Sequence, residues 1–420
     1  MKRLVVIGQG YVGLPMSLRA AAKGFLVVGL DNNSSVVDAL NSGVSHIDDV
    51  PDVELQIGLV AGYSASTDAS CLVDADVVVV CVPTPLSDDG GPDLRPVQSA
   101  ARTIGEYIHP NTLVILESTT YPGTTEEVFA PLVLGSDLRL GEDVNIAFSP
   151  ERIDPGNQTY GVKNTPKVVG GLTPECTKAA RQFYEQFIDT VVEAKGAKEA
   201  EMAKLLENTF RHVNIALVNE LAMFAHDLGI DVWEAIDAAS TKPFGYLRFT
   251  PGPGVGGHCL PIDPSYLSWQ VRQQLGRSFR FVELANDVNE HMPDYVVRRA
   301  STMLNRRKQA LNGARILLLG LAYKKNTSDA RESPAVRVAQ LLSAQGAEVL
   351  AADPHVDLAV VRLNEPLGAR VVDLTRAEVE QADLVILLVD HDDFDLALLK
   401  GACVLDTRRV LPPADGVEQL

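Results

Sequence analysis

Near the amino terminus, Gly8-x-Gly10-x-x-Gly13 follows one apolar run and opens a helical one. In that setting the first glycine permits a tight turn and the second lets backbone approach a pyrophosphate. The third lets helix and strand pack closely. The pyrophosphate would rest on the helix N-terminus, where free N–H groups and the dipole favour an anion. Asp31 ends the next apolar run. A carboxylate there accepts from a ribose 2′-hydroxyl and repels a 2′-phosphate, so the pattern favours NAD over NADP. The competing reading is a glycine-rich turn with no cofactor significance.

A second chemistry is suggested by Gly256-Gly257-His258-Cys259-Leu260-Pro261-Ile262-Asp263. Cys71, Cys81, Cys176 and Cys403 lie in apolar or helical surroundings and read as small buried hydrophobes. Cys259 instead lies among prolines and glycines that keep side chains off its approach path. A nucleophilic thiol needs such access; a structural cysteine in a tight turn is the alternative. Lys204, Asn208 and Arg211 recur at i, i+4 and i+7 of a helical pattern and share one face. A cation and an amide one turn apart can donate to a developing oxyanion, and an arginine beyond them can hold a phosphate or sugar oxygen. A solvated polar face would look the same. The strand-end segments Val82–Pro85 and Glu117–Gly123 bring Thr84 and Thr119 to the edge where open α/β sheets bind ligands.

The elements needed to position these groups are legible in outline. Arg3–Gly8, Phe25–Asp31, Ala75–Val82, Leu113–Glu117 and Val144–Phe148 are continuous apolar runs without alternation, as expected of strands covered on both faces. From Ala314 the rhythm returns in ARILLLG, AEVLAADP, ADLVILLVD and ACVLDT. Between the two lies a long helical pattern from Ala197 to Leu228, stopped by Gly229, with Asp231 and Glu234 as a capping pair for the next helix. Met202, Leu205, Leu206, Val213, Leu217, Leu221, Phe224 and Leu228 give it an apolar stripe, suited to a core or to a dimer seam. Thr241–Leu267 is too rich in proline and glycine for regular structure, and such a stretch is usually functional. A further helix is expected over Phe281–Leu304, and PPADGVEQL reads as a loose tail. The expected fold is α/β: two Rossmann-like doubly wound domains (1–196 and 305–420) joined by a helical middle domain (197–304) with a long central helix.

Composition narrows the class. The 420 residues carry 37 Lys and Arg against 55 Asp and Glu, a formal charge of −18, which argues against nucleic acid as a partner. Apolar residues at 46% and charged ones at 22% are ordinary globular usage. The scattered cysteines form no C-x-x-C pair, so neither a zinc site nor a disulfide framework is expected, and no metal is implied. The initial apolar run breaks at Gly8-Gln9-Gly10, unlike a signal peptide, and no apolar stretch reaches roughly 18 residues. A soluble, cytoplasmic protein without membrane contact is the expectation.

GQGYVGLP, VPTPL, ESTTYPGTTEE, SPERIDPG, KLLENTFRHVNIALVNELA, PGPGVGGHCLPIDP and GLAYKKNTSDARESP occur in this order. Together they resemble the UDP-glucose/GDP-mannose dehydrogenase family over nearly the whole chain. TKPFGY joined to PGPGVGGHCLPIDPSYLSW looks most like the branch acting on UDP-N-acetylhexosamines, with UDP-N-acetylglucosamine favoured and UDP-N-acetylmannosamine or UDP-glucose as alternatives. The resemblance implies an NAD-dependent, four-electron oxidation of the sugar C6 through a thiohemiacetal and thioester on Cys259. It assigns Lys204 and Asn208 as oxyanion donors, Asp263 and Thr119 as the pair handling a water or proton, and a part to Glu151. Cofactor contacts carry over to Gly8, Gly10, Tyr11, Val12, Gly13, Asp31, Thr84, Thr119 and Arg331. Substrate contacts carry over to Glu151, Lys204, Asn208, Arg211, Phe249, Gly254, Gly256, Gly257, Tyr323 and Lys324. The second α/β domain would close over the UDP moiety, and the long helix would pair with its mate in a homodimer.

Two positions depart from the UDP-glucose enzymes. Where those carry a second glutamate, this chain has Pro155, and where they place a partner-subunit arginine near the sugar, the nearest basic residues are Lys242 and Arg248. Both changes suit a bulkier 2-acetamido sugar. More remote readings are a two-electron hydroxy-acid dehydrogenase and a non-enzymatic NAD-bound redox sensor.

Overall fold

The computed structural model describes residues 2–87, 90–136, 138–153, 157, 159–257, 260, 262–356 and 367–420. The expectations placed on Cys259 and Pro155 therefore lie outside the described residues. Two compact units divide the chain: residues 1–207 with 265–276, and residues 208–264 with 277–420.

The first unit is built on eight strands: β1 (Arg3–Ile7), β2 (Leu26–Leu30), β3 (Tyr63–Ser66), β4 (Val77–Val80), β5 (Leu113–Leu116), β6 (Asn145–Phe148), β7 (Lys167–Gly171) and β8 (Val191–Glu193). They lie in the order β3-β2-β1-β4-β5-β6-β7-β8, with only β6 and β7 antiparallel. In β1, Leu4 and Val6 enter one core and Val5 and Ile7 the other, so the sheet is buried on both faces. That double burial explains the unbroken apolar runs. β3 (YSAS) and the three-residue β8 lie toward the sheet edges, where short or polar sequences suffice, and they carry no apolar signature of their own.

The second unit holds β9 (Arg315–Leu319), β10 (Glu348–Ala352), β11 (Arg370–Val371), β12 (Leu384–Leu387), β13 (Val404–Asp406) and β14 (Val417–Gln419), all parallel. Their order, β11-β10-β9-β12-β13-β14, repeats the permutation of the first six strands of the chain. The doubly wound α/β expectation holds for both sheets. The expected loose tail does not. Gly416, at φ 87°, turns the chain so that Val417–Gln419 pairs with β13, and the Leu420 carbonyl accepts from Trp233 Nε1 at 3.1 Å. Three edge residues are too few to show a strand period.

The long helix spans Ala197–Leu228 and ends at Gly229, whose φ of 69° suits glycine. Asp231 then caps the helix Val232–Ser240 by accepting from the Trp233 and Glu234 N–H groups. The expected helix over 281–304 is two, Arg280–Glu290 and Met292–Arg306, parted at His291 where Pro293 opens the second. The stretch expected to be irregular ends early, because a helix starts at Asp263 with Pro264 in its first turn. Leu205 is fully buried, but Leu206, Leu217, Leu221, Phe224 and Leu228 are between 47% and 73% exposed. Most of the apolar stripe is therefore uncovered within the chain. Among the described residues no helix is long and apolar enough to cross a membrane, and no group of three His, Cys, Asp or Glu could hold a metal.

Candidate active site

Beyond the carboxyl end of β1 the glycine turn forms as its spacing requires. Gly8 has φ 91°, and a Cβ there would lie 2.6 Å from the Cys81 carbonyl oxygen; one on Gly13 would lie 1.8 Å from the Gly8 oxygen. A Cβ on Gly10, by contrast, would meet nothing within 4 Å, so that side of its backbone is open to a ligand. Asp31 stands at the end of β2, with Oδ2 accepting from Gln9 N at 2.9 Å and Oδ1 from Asn33 N at 3.0 Å. The two strand-end loops are tied together: Thr84 Oγ1 donates to the Thr119 carbonyl at 2.8 Å, and the Tyr266 hydroxyl donates to the Thr84 carbonyl. Thr119 is half-buried. Its neighbour Thr120 is fully buried, with an Oγ1 that has no hydrogen-bond partner among the described residues.

The start of the long helix lies against these loops. Glu201, fully buried, accepts from Gly123 N (2.6 Å), Thr125 N (2.9 Å) and Thr125 Oγ1 (2.7 Å). Burial nevertheless outweighs those donors and raises its carboxyl from 4.5 to about 7. The native state thus favours the proton. This stabilising effect is whole below pH 4.5 and declines as pH rises toward 7, a difference of roughly 3 kcal/mol. Glu201→Gln should flatten that decline. Urea midpoints of wild type and variant, compared from about pH 5 to about pH 8, should converge toward the acid end; parallel curves would contradict the assignment.

One turn on, Lys204 is 8% exposed and donates from Nζ to the Glu151 carbonyl at 2.6 Å. Glu151 turns its carboxylate inward, Oε1 accepting from Arg152 N and Ile153 N and Oε2 meeting Lys167 Nζ at 3.1 Å. Arg152 pairs with Glu207 and donates to the Pro166 carbonyl.

In the second unit, Asn208 Nδ2 donates to Asp263 Oδ2 at 2.6 Å, both residues buried. Arg211 is exposed. The glycine-rich loop packs on residues 323–334: a Cβ on Gly256 would lie 2.6 Å from the Glu332 oxygen, and one on Gly257 2.8 Å from the Tyr323 ring. Gly254, at φ 133°, faces Pro334. Gly252 N donates to Oδ1 of buried Asn219, whose Nδ2 donates to Asn289 Oδ1. Phe249 meets Phe210 edge-on at 5.8 Å. Gly254, Gly256, Gly257 and Tyr323 thus share one neighbourhood, with Lys324 half-buried beside Tyr323, whereas Phe249 packs against the long helix and the Trp233 cluster. Lys242 is exposed over the Phe244 ring, Arg248 pairs with Asp237, and Arg331 forks onto Asp329.

Three family models match in succession: the UDP-glucose/GDP-mannose dehydrogenase NAD binding domain over residues 2–188, the central domain over 198–291, and the UDP binding domain over 317–413. The chain belongs to the UDP-glucose/GDP-mannose dehydrogenase family. It is an NAD-dependent nucleotide-sugar dehydrogenase, and the reading as a non-enzymatic redox sensor falls. One relative is the NDP-N-acetyl-D-galactosaminuronic acid dehydrogenase of Ralstonia nicotianae, 36% identical, with 97% of this chain and 96% of that protein covered. Another is the UDP-N-acetyl-D-mannosamine dehydrogenase of Pyrococcus horikoshii, 38% identical over 93% of this chain and 90% of that one. A solved structure of the Pyrococcus horikoshii UDP-D-ManNAc dehydrogenase superposes with a TM-score of 0.89 at 34% identity, covering 99% and 98% of the two chains.

The cradle of this dehydrogenase at Gly8, Gly10 and Gly13, with Asp31 beyond it, fits NAD. Sequence reasoning passed over several buried groups. Glu201, Lys167 and Tyr184 have no motif around them, and Thr120 lies inside ESTTYPGTTEE but was passed over for Thr119. Arg408 had a usable signal, since it follows the carboxyl end of β13. Its Nη1 would lie 3.0 Å from a Cβ on Gly252, Asp390 is 3.9 Å from its Nε, and burial lowers the pKa of its guanidinium.

Proposed function

We propose that this dehydrogenase oxidises C6 of a UDP-N-acetylhexosamine to the uronic acid by two successive hydride removals. Bound NAD supplies the hydride acceptor. The first removal converts the alcohol to an aldehyde; the Cys259 thiolate attacks its carbon, and the thiohemiacetal loses the second hydride to become a thioester. Water then displaces the thiol, so one sugar and one water yield one carboxylate, with two NAD reduced. Lys204 and Asn208 donate to the oxygen as it gains charge, Asp263 handles the proton with Thr119 or its buried neighbour Thr120, and Glu151 supports Lys204. Gly8, Gly10, Tyr11, Val12, Gly13, Asp31, Thr84, Thr119 and Arg331 serve the cofactor. Arg211, Lys242, Arg248, Tyr323, Lys324 and the loop Phe249–Gly257 serve the sugar nucleotide. Residues 1–196, 197–304 and 305–420 are the corresponding functional divisions.

The observation that carries this reading is the chemistry on the long helix: a buried ammonium with two N–H groups beyond its bond to Glu151, and one turn on an amide bonded to a buried carboxylate. A hydroxy-acid oxidation has no use for a thiol in a glycine-rich loop. Pro155 and the TKPFGY segment favour a 2-acetamido sugar over UDP-glucose. UDP-N-acetylglucosamine was the first choice from sequence; relatives named for N-acetyl-D-mannosamine speak for its C2 epimer. The uncovered stripe Leu217–Leu228 suits a homodimer seam, and a cytoplasmic setting would keep the Cys259 thiol reduced.

Purified protein with UDP-N-acetylglucosamine, UDP-N-acetylmannosamine, UDP-N-acetylgalactosamine and UDP-glucose, each with NAD or NADP, tests the reading. Two NADH should form per sugar consumed, with a 2-acetamido sugar ahead of UDP-glucose and NAD far ahead of NADP. One NADH per sugar removes the four-electron step. UDP-glucose turned over as well as the best of the others removes the sugar choice, and comparable kcat/KM with NADP removes the role of Asp31.

A further inference from the structure

At the carboxyl end of the second sheet, a turn of residues 321–326 carries Tyr323 and Lys324, which the reading above gives to the sugar nucleotide. Two buried side chains outside that reading hold its backbone from both ends. Asp353, just past β10, takes the first end: Oδ2 accepts from Leu321 N at 2.6 Å and from Ala322 N at 3.0 Å. His391, just past β12 and 2% exposed, takes the other, with Nδ1 at 2.9 Å from Asn326 N. The two holders are joined, since His391 Nε2 lies 3.1 Å from Asp353 Oδ2.

These partners fix the protons. A backbone N–H only donates and a carboxylate only accepts, so the neutral His391 ring carries its proton on Nε2 and its lone pair on Nδ1. Asp353 stays ionised: burial alone would raise its carboxyl, but the donors from His391, Leu321 and His355 outweigh it and bring it down to about 2. The ring is held in place by His355 and Phe394, whose ring centres lie 4.8 and 5.5 Å from its own. Asn326 needs such a hold. Its φ of 57° lies in the left-handed region, which costs a residue with a side chain. Its side-chain amide is meanwhile paired with Asp392, donating to Oδ2 and accepting from N.

The turn also reaches the thiol loop. The Tyr323 ring backs Gly257, where a Cβ would lie 2.8 Å from it, and Cys259 follows shortly in the chain. We propose that His391 is a positioning residue for the sugar nucleotide: Asp353 sets its tautomer, and its Nδ1 fixes the 321–326 turn that presents Tyr323 and Lys324. This rests on the function proposed above, and the match of residues 317–413 to a UDP binding domain supports it. Neither His391 nor Asp353 is given a part in the chemical steps. The effect should therefore fall on sugar-nucleotide binding and leave hydride transfer alone, which raises KM with kcat unchanged.

Two variants separate the proposed role from simple packing. His391→Asn places an oxygen near the Nδ1 position and keeps the acceptor for Asn326; His391→Gln places an amide N–H near Nε2 and keeps only the donor to Asp353. In His391→Gln, KM for the sugar nucleotide and Kd for UDP alone should rise about tenfold, with kcat and NAD affinity within about twofold of wild type. Hydrogen exchange at the Asn326 amide should speed up about tenfold or more in the same variant. In His391→Asn each of these should return to within about threefold of wild type. A ring that only filled space would give the opposite order, because Gln is nearer to His in size. If His391→Gln does not fold, His391→Asn decides, since it must keep UDP affinity and Asn326 exchange near wild type. His391→Asn no better than His391→Gln, or unmoved UDP affinity and Asn326 exchange in folded His391→Gln, overturns the proposal. Absence of NADH with every sugar overturns the proposed oxidation instead, and UDP affinity and exchange still decide the positioning.

Discussion

Replacing Cys259 by Ser should stop net acid formation while leaving NAD and UDP-sugar binding nearly intact. A thiolate adds to an aldehyde at neutral pH and leaves from its ester readily, whereas a serine hydroxyl at the same place does neither well. The variant can complete the first hydride removal but lacks the thiol addition on which the second depends. A single-turnover experiment should therefore yield at most about one NADH per site. If the serine hydroxyl does add to the aldehyde, both hydrides leave once and an ester adduct remains that does not turn over, seen in the intact mass as a gain close to that of the sugar nucleotide. Steady-state turnover within a few-fold of wild type would remove the covalent mechanism and return the chemistry to a two-electron oxidation.

Lys204→Ala is the second large effect. Removing one donor to a developing oxyanion typically costs about 10²–10³ in kcat. Lys204 starts from a favourable position: it is buried, and its bond to the Glu151 carbonyl fixes the ammonium without neutralising it. The loss should appear in kcat at saturating sugar, with NAD affinity preserved. A loss of less than about fivefold would show that Lys204 holds the 151 turn and does nothing for the reacting oxygen.

These two residues illustrate what a sequence can disclose. Gly8, Gly10, Gly13 and Asp31 were legible because a short turn with no Cβ and a carboxylate one strand later satisfy local rules. Lys204 and Asn208 were legible because helical spacing puts them on one face, though only the fold shows Lys204 spent partly on Glu151 and Asn208 on Asp263. The buried cluster in which Lys167 meets Glu117 and Glu151, with the Tyr184 hydroxyl on Glu117, was not legible. Its members come from a strand start, two loops and a helix, and no local pattern links Lys167 to Glu117 or Tyr184. The same holds for Glu201, whose donors lie in the 123–125 turn, and for Arg408 beside Gly252. The short strands β3, β8, β11 and β14 were missed for another reason: sheet edges and margins impose too little burial to mark so few residues. The split at His291 needed the details of helix ends, not the apolar period that spans both helices.

The two sheets share one strand order, and the likeness extends to single atoms. Gly8 N donates to the Leu30 carbonyl and Gly320 N to that of Ala352; Gln9 N donates to Asp31 and Leu321 N to Asp353. The divergence lies in how each carboxylate is spent. Asp353 also accepts from Ala322, His355 and Val356 N–H groups, and the buried His391 ring closes on its Oδ2 at 3.1 Å. The places corresponding to Gly10 and Gly13 hold Ala322 and Lys325. A protein engineer wishing to convert the second sheet into another dinucleotide site would therefore gain little by reinstating glycines alone. The ribose would find its acceptor already capped, and His391 would have to go first.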